Sequence, residues 1–178
     1  MADMERTTAR ILADLVRDML NSTAIAIEDL SLEEVHYRIH DNTNHIAFEA
    51  WHIARTSDNI VHFAFDREQP IWLRKGLHEA WHLPRVDQGT DMEPESAYSL
   101  RFPDPILLAG YIRDVAVAVE SRVANMNDDY LRAQVTVRPH GQISRMRALG
   151  QVVIVHGSNH LGQINLARTF QGKSGIGF

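Results

Sequence analysis

Leu149-Gly150-Gln151-Val152-Val153-Ile154-Val155-His156-Gly157-Ser158-Asn159-His160-Leu161-Gly162-Gln163-Ile164-Asn165-Leu166-Ala167 is the stretch on which the fold turns. On a helical wheel with Leu149 at zero, Val153, His156, His160, Gln163 and Ala167 all fall within about 40° of it. That arc is an inward stripe with two histidines at its centre, flanked by Met146, Val152 and Ile164. The spacing predicts a helix that begins after Gly141 and reaches roughly Phe170. A helix of 20 or so residues is about 30 Å long, so it needs partners of similar length.

The rest of the chain supplies three. Asp104-Pro105 is an N-cap followed by proline at the first helical position, and Leu108, Ile112, Val115, Val119, Val123 and Met126 follow at helical spacing. Ile46, Ala50, Ile53, Ser57, Ile60 and Ala64 trace one narrow face and predict a helix over 44–65. Ile11/Leu12, Leu15/Val16 and Met19/Leu20 predict the first helix over 4–21. Ser31 with Glu34 matches a capping box and predicts a short helix over 31–39. Segment 66–103 is too long for a turn; it holds a short helix near 72–81 and then a Pro/Gly/Asp-rich run over 84–105. Gln134-Val135-Thr136-Val137, in the last connector, is extended with no evident partner strand. Four long helices and one long crossover predict an all-α four-helix bundle, a single domain over 1–178 with a flexible tail over 171–178.

Composition narrows the function. An apolar share of 44% and a charged share of 23% are those of a globular protein. A net charge of −5 with no basic cluster excludes a nucleic-acid footprint. The charged N-terminus and the lack of a run of about 18–20 apolar residues predict a cytoplasmic protein with no membrane partner. There is no cysteine, which removes disulfides, thiolate metal ligands and a cysteine nucleophile together. Gly172-Lys173-Ser174 is not a phosphate-binding loop, because Ala167 stands where that loop requires glycine.

Ten histidines remain to be placed. His156 and His160 are one turn apart, the spacing that lets two imidazoles meet one ion, although two hydrogen-bonded core histidines are the plainer alternative. Gly157 follows His156 where a zincin needs glutamate, so that class is excluded. A third ligand has to come from another helix. His45, Glu49, His52, Thr56 and Asn59 form a polar stripe on the second helix, with His52 at mid-helix and His45 read as partly exposed. Glu49 is placed to orient a ligand imidazole or to act as a base, or else to pair with His45 or Arg55. His36, His40, His62, His78, His82 and His140 are read as surface residues.

Trp51-His52-Ile53-Ala54-Arg55 on the second helix, with His156-x-x-x-His160-x-Gly162-Gln163-Ile164 on the fourth, resembles the DinB/YfiT-like superfamily. The resemblance implies an up-down-down-up bundle, commonly a homodimer. It also implies one divalent metal held by His52, His156 and His160. Three neutral imidazoles suit zinc or nickel, with cobalt or iron(II) as alternatives. The family includes transferases that use small cellular thiols, so the expected activity is that of a thiol-dependent transferase or a hydrolase acting on a small molecule. A non-catalytic metal-binding or structural stress-response bundle is the alternative. Helix four is apolar beyond its stripe, with Ile154 and Leu161 on one side and Val155 and Leu166 on another, which together with the family tendency predicts a homodimer.

Overall fold

Thr7 accepts a hydrogen bond from the Arg10 amide and so caps the first helix, α1, Thr8–Glu28. The computed structural model describes residues 7–176, so Met4, Glu5 and Arg6 of the expected first turn lie outside the described residues. Past Asn21, where the helix is expected to end, the Thr23 hydroxyl returns to the Met19 carbonyl at 2.9 Å. Ala24, Ala26 and Ile27 then continue into the core, which carries the helix on to Glu28. Ser31 and Glu34 complete the expected capping box around α2, Leu32–Val35.

Helix α3, Ile46–Asp58, is buried at every position. It runs on into a π-helical segment, Asn59–Ala64, so the two together fill the span expected for the second helix. The crossover holds three short helices: α4, Ile71–Arg74; α5, Leu77–Ala80; and α6, Pro94–Ser99. Asp104 then caps α7, Pro105–Ala124, by accepting from the Ile106 amide.

A further short helix, α8, Asp128–Arg132, leads into the one departure from helix. Strand β1, Gln134–Val137, does have a partner: it pairs antiparallel with β2, Gly141–Ser144, with Val135 opposite Ile143. The fourth helix therefore starts later than expected. Ser144 caps α9, Arg145–Arg147, which passes through a π-helical segment, Ala148–Val155, into α10, His156–Phe170. Residues 171–176 turn back, and Asn165 binds both backbone groups of Ile176 while Arg168 donates to the Ser174 carbonyl. Residues 177 and 178 lie outside the described residues.

The chain is mostly helical. Ion pairs and core contacts give the direction of each neighbouring pair. Arg10 and Arg17 of α1 meet Glu120 of α7 while Glu28 meets Arg113, so those helices run antiparallel. Glu49 contacts His160 and His52 contacts His156, so α3 and α10 are also antiparallel. Tyr111 reaches Asp58, and Arg122 reaches Asp66 just beyond the π segment, so α3 and α7 are parallel. Among the described residues no helix is long and apolar enough to cross a membrane.

Candidate metal centre

His52 sits in the middle of the buried helix α3, and His156 and His160 lie in the first turns of α10. Their rings meet edge to face, with centroids 4.5–5.0 Å apart. The Nε2 atom of His156 is 3.3 Å from that of His52 and 3.0 Å from that of His160. One ring nitrogen from each of the three lies within 4.8 Å of the others, a group that could hold a metal ion.

The opposite nitrogens decide what the convergence means. His52 Nδ1 donates to the Gln88 carbonyl at 2.5 Å, and His160 Nδ1 donates to the Glu49 carboxylate. Neither acceptor has a proton to give, so each fixes the imidazole proton on Nδ1 and turns the Nε2 lone pair inward. His156 Nδ1 has no hydrogen-bond partner among the described residues, so its proton is not fixed from behind; with Nε2 unprotonated, its lone pair faces those of the other two at 3.0–3.3 Å, an arrangement that a cation between them satisfies. With a metal–nitrogen distance of about 2.0–2.1 Å, tetrahedral ligands stand about 3.3 Å apart. The three residues therefore fit a divalent ion. Burial lowers the pKa of His52, and burial with the neighbouring imidazoles pushes His156 down to about 4. Both are then held in the neutral form that ligation requires.

Glu49 is buried and contacts His160 from behind the triad, away from His45 and Arg55. Of the partners open to it, the one it meets is the His160 ring. His156 and His160 are half-buried and Gln163 is exposed, whereas Gly157 and Leu161 are buried. The inward stripe is thus rotated from the one expected. The π-helical segment before His156 winds more loosely than an α-helix, so a wheel started at Leu149 has run ahead by that point.

Loop 86–90 holds the other side of the site. Arg55, one turn after His52, donates to the Val86 and Asp87 carbonyls at 3.2 and 3.4 Å. Gly89 has φ +95° and passes so close that a Cβ would stand 2.7 Å from Phe48 Cζ and 3.1 Å from His52 Nδ1. Only glycine fits there without displacing the Gln88 carbonyl. No sequence signal marks that carbonyl, because every residue carries one. His156 also lines a cavity of about 380 Å³, with Thr56, Gln88, Thr90, Arg138, His140 and Asn159 around it. Thr56 was legible from the polar stripe; Arg138 and His140 are brought in by the hairpin turn.

Two histidines read as exposed are buried. His62 donates through Nδ1 to its own helix at the Asp58 carbonyl and carboxylate. His45 is the N-cap of α3: Nδ1 accepts from the Phe48 amide at 3.1 Å and Nε2 donates to the Leu100 carbonyl at 3.2 Å. Burial, and secondarily His36, push its pKa down to about 3. Below the unfolded-state value of about 6.5, the unfolded chain takes up a proton that the native chain refuses. Stability should therefore fall as pH drops from about 6.5 towards 3, by up to about 1.4 kcal/mol per pH unit for such a residue. Denaturant midpoints of metal-free protein at several pH values measure this. His45→Asn, which keeps a capping acceptor without titrating, should flatten the slope.

The solved crystal structure of a conserved protein from Enterococcus faecalis resembles this chain with a TM-score of 0.75 and 19% identity, over 97% of this chain and 100% of that one. At that identity the likeness is one of fold. A search of the curated proteins finds no match. The family model of the DinB superfamily matches residues 14–164, which takes in α3 and both histidines of α10, and the chain belongs to that superfamily.

Proposed function

We propose that this protein is a metal-dependent enzyme in which His52, His156 and His160 hold one divalent ion, zinc or nickel foremost and cobalt or iron(II) otherwise. Three imidazoles converging beside a polar cavity, two of them with the proton fixed outward on Nδ1, carry this reading. Among the described residues no fourth His, Cys, Asp or Glu joins the group, which leaves a coordination position for substrate. When bound, the ion supplies a Lewis-acid centre that lowers the pKa of a coordinated water or thiol into the physiological range. Glu49 holds the His160 ring, and the Gln88 carbonyl, steadied by Arg55, holds that of His52. Since the chain has no cysteine, a thiol has to arrive on a small cosubstrate. The reaction is transfer involving such a thiol, or hydrolysis.

In the same reading the long helices form an up-down-down-up four-helix bundle, which the antiparallel and parallel pairings above support, with the crossover joining two parallel helices. The protein assembles as a homodimer. Leu161 is buried within the chain, but Val155 is 56% and Leu166 52% exposed, so one apolar flank of the fourth helix lacks cover. Light scattering at micromolar concentration should give twice the mass of the chain; a monomer mass refutes the dimer.

Chelation separates a catalytic ion from a structural one. The stripped protein should keep its helicity, because the core is built from amphipathic helices and not from the ligands. Reloaded with Co(II), it should change its visible spectrum when a small thiol is added. Outright unfolding on stripping, or a spectrum indifferent to thiols and anions, would leave a structural staple.

A further inference from the structure

Resting on the metal-site reading above, we propose that the cavity beside His156 binds a small organic carboxylate, with Arg138 taking the carboxylate and the Thr56 hydroxyl donating to the end that reaches the triad.

Charge is the first ground. No Asp or Glu lines the cavity, and Arg138 stands on the hairpin turn at its edge. Arg10, Arg17, Arg113, Arg122 and Arg168 each pair with a carboxylate of the chain. Arg138 pairs with none among the described residues, nor do Arg74 and Arg85, but of these three Arg138 is the one that lines the cavity. Its planar fork of donors can take a carboxylate in a bidentate pair. The triad itself brings three neutral ligands, so a dication there keeps charge that attracts an anion, with Glu49 set behind the ring of His160 and outside the cavity.

Unanswered polar atoms are the second ground. Thr56 is one turn beyond His52, is 3% exposed, and its hydroxyl has no hydrogen-bond partner among the described residues. Gln88 Oε1, on the same cavity, is also buried and unpartnered; as an acceptor it suits a donor or water and not the carboxylate. A buried hydroxyl left unsatisfied costs about 1–3 kcal/mol, a cost a bound ligand removes. Val152, Val155 and Pro139 give a short carbon chain an apolar wall between the two ends. The volume, about 380 Å³, is that of a metabolite pocket.

Succinate and its neutral diamide, titrated into the Co(II)-loaded full-length protein, test this through the visible spectrum and the heat of binding. The wild type should prefer succinate by about tenfold or more, the effect of a charge-assisted hydrogen bond. Arg138→Ala should cut that preference several-fold, leaving the part due to the metal's charge, and Arg138→Lys restore some of it, with cobalt content unchanged in both. Thr56→Val should weaken succinate while the thermal midpoint holds or rises, because the hydroxyl has no protein partner to lose. Equal binding of succinate and diamide, or unchanged binding in both Arg138→Ala and Thr56→Val, overturns the inference and leaves the metal site standing. A wild-type chain that takes up no cobalt, read by elemental analysis, overturns the metal-site reading and this inference with it.

Discussion

His160→Ala should strip the protein of its metal. Wild-type chain purified without an affinity tag should carry about one transition-metal equivalent per protomer, the number one set of three imidazoles can hold. Removal of His160 takes away a ligand and also leaves the buried Glu49 carboxylate facing an empty space. Glu49→Gln keeps the ligand but weakens the acceptor on its Nδ1, and should lower metal affinity by about 10–100-fold. The ordering wild type, then Glu49→Gln, then His160→Ala, is the signature of an orienting carboxylate behind a ligand. A control must lie off the site without disturbing the core. His62 fails that test because it is packed on Asp58, whereas the exposed His40 passes it. Elemental analysis of the variants decides the matter: equal metal in His160→Ala and His40→Ala would sink the assignment.

The four long helical runs were legible because each is amphipathic over many turns, and the ends at Ser31 and Asp104 because their caps are local. What escaped the sequence was set by partners and backbone geometry that appear only in the folded chain, near and distant alike. His45 reads as partly exposed and His62 as surface, yet each finds acceptors or donors inside the fold, at Leu100, Phe48 and Asp58. The β2 strand was hidden in a segment whose partner, β1, only pairs with it once the turn between them closes. The π-helical segment before His156 rotates the face that periodicity assigns, without altering which residues are apolar. The three histidines themselves could be picked out, two by spacing and the third by resemblance. The groups that hold them divide: Glu49 stands on the same polar stripe and was visible, while the Gln88 carbonyl was not.

Asp58→Ala should destabilise the protein by about 3–5 kcal/mol, the range for leaving buried polar partners of a carboxylate unmatched. The Asp58 side chain is wholly buried. It accepts from the amides of Ile71 and Trp72 at 2.9 and 3.0 Å, from the Tyr111 hydroxyl at 3.2 Å, and from His62 Nδ1 at 2.9 Å. Those donors come from α4, α7 and the π segment, so one carboxylate ties the crossover to the core. Burial and the nearby carboxylate raise the Tyr111 pKa well above its usual value, which keeps its hydroxyl protonated and donating. The effect should also reach the metal site. Trp72 donates to the Pro84 carbonyl and lies beneath the Arg55 guanidinium, and Arg55 in turn holds the loop that sets Gln88 against His52. Urea unfolding of the metal-free variant measures the first loss, and competition with a chelator measures the second. An unfolding free energy within about 1 kcal/mol of wild type would mean that the four donors find other acceptors, against the accounting of buried polar groups. Lost stability with undiminished metal affinity would separate the two effects, and would place the anchoring of loop 86–90 on Arg55 and Gly89 alone.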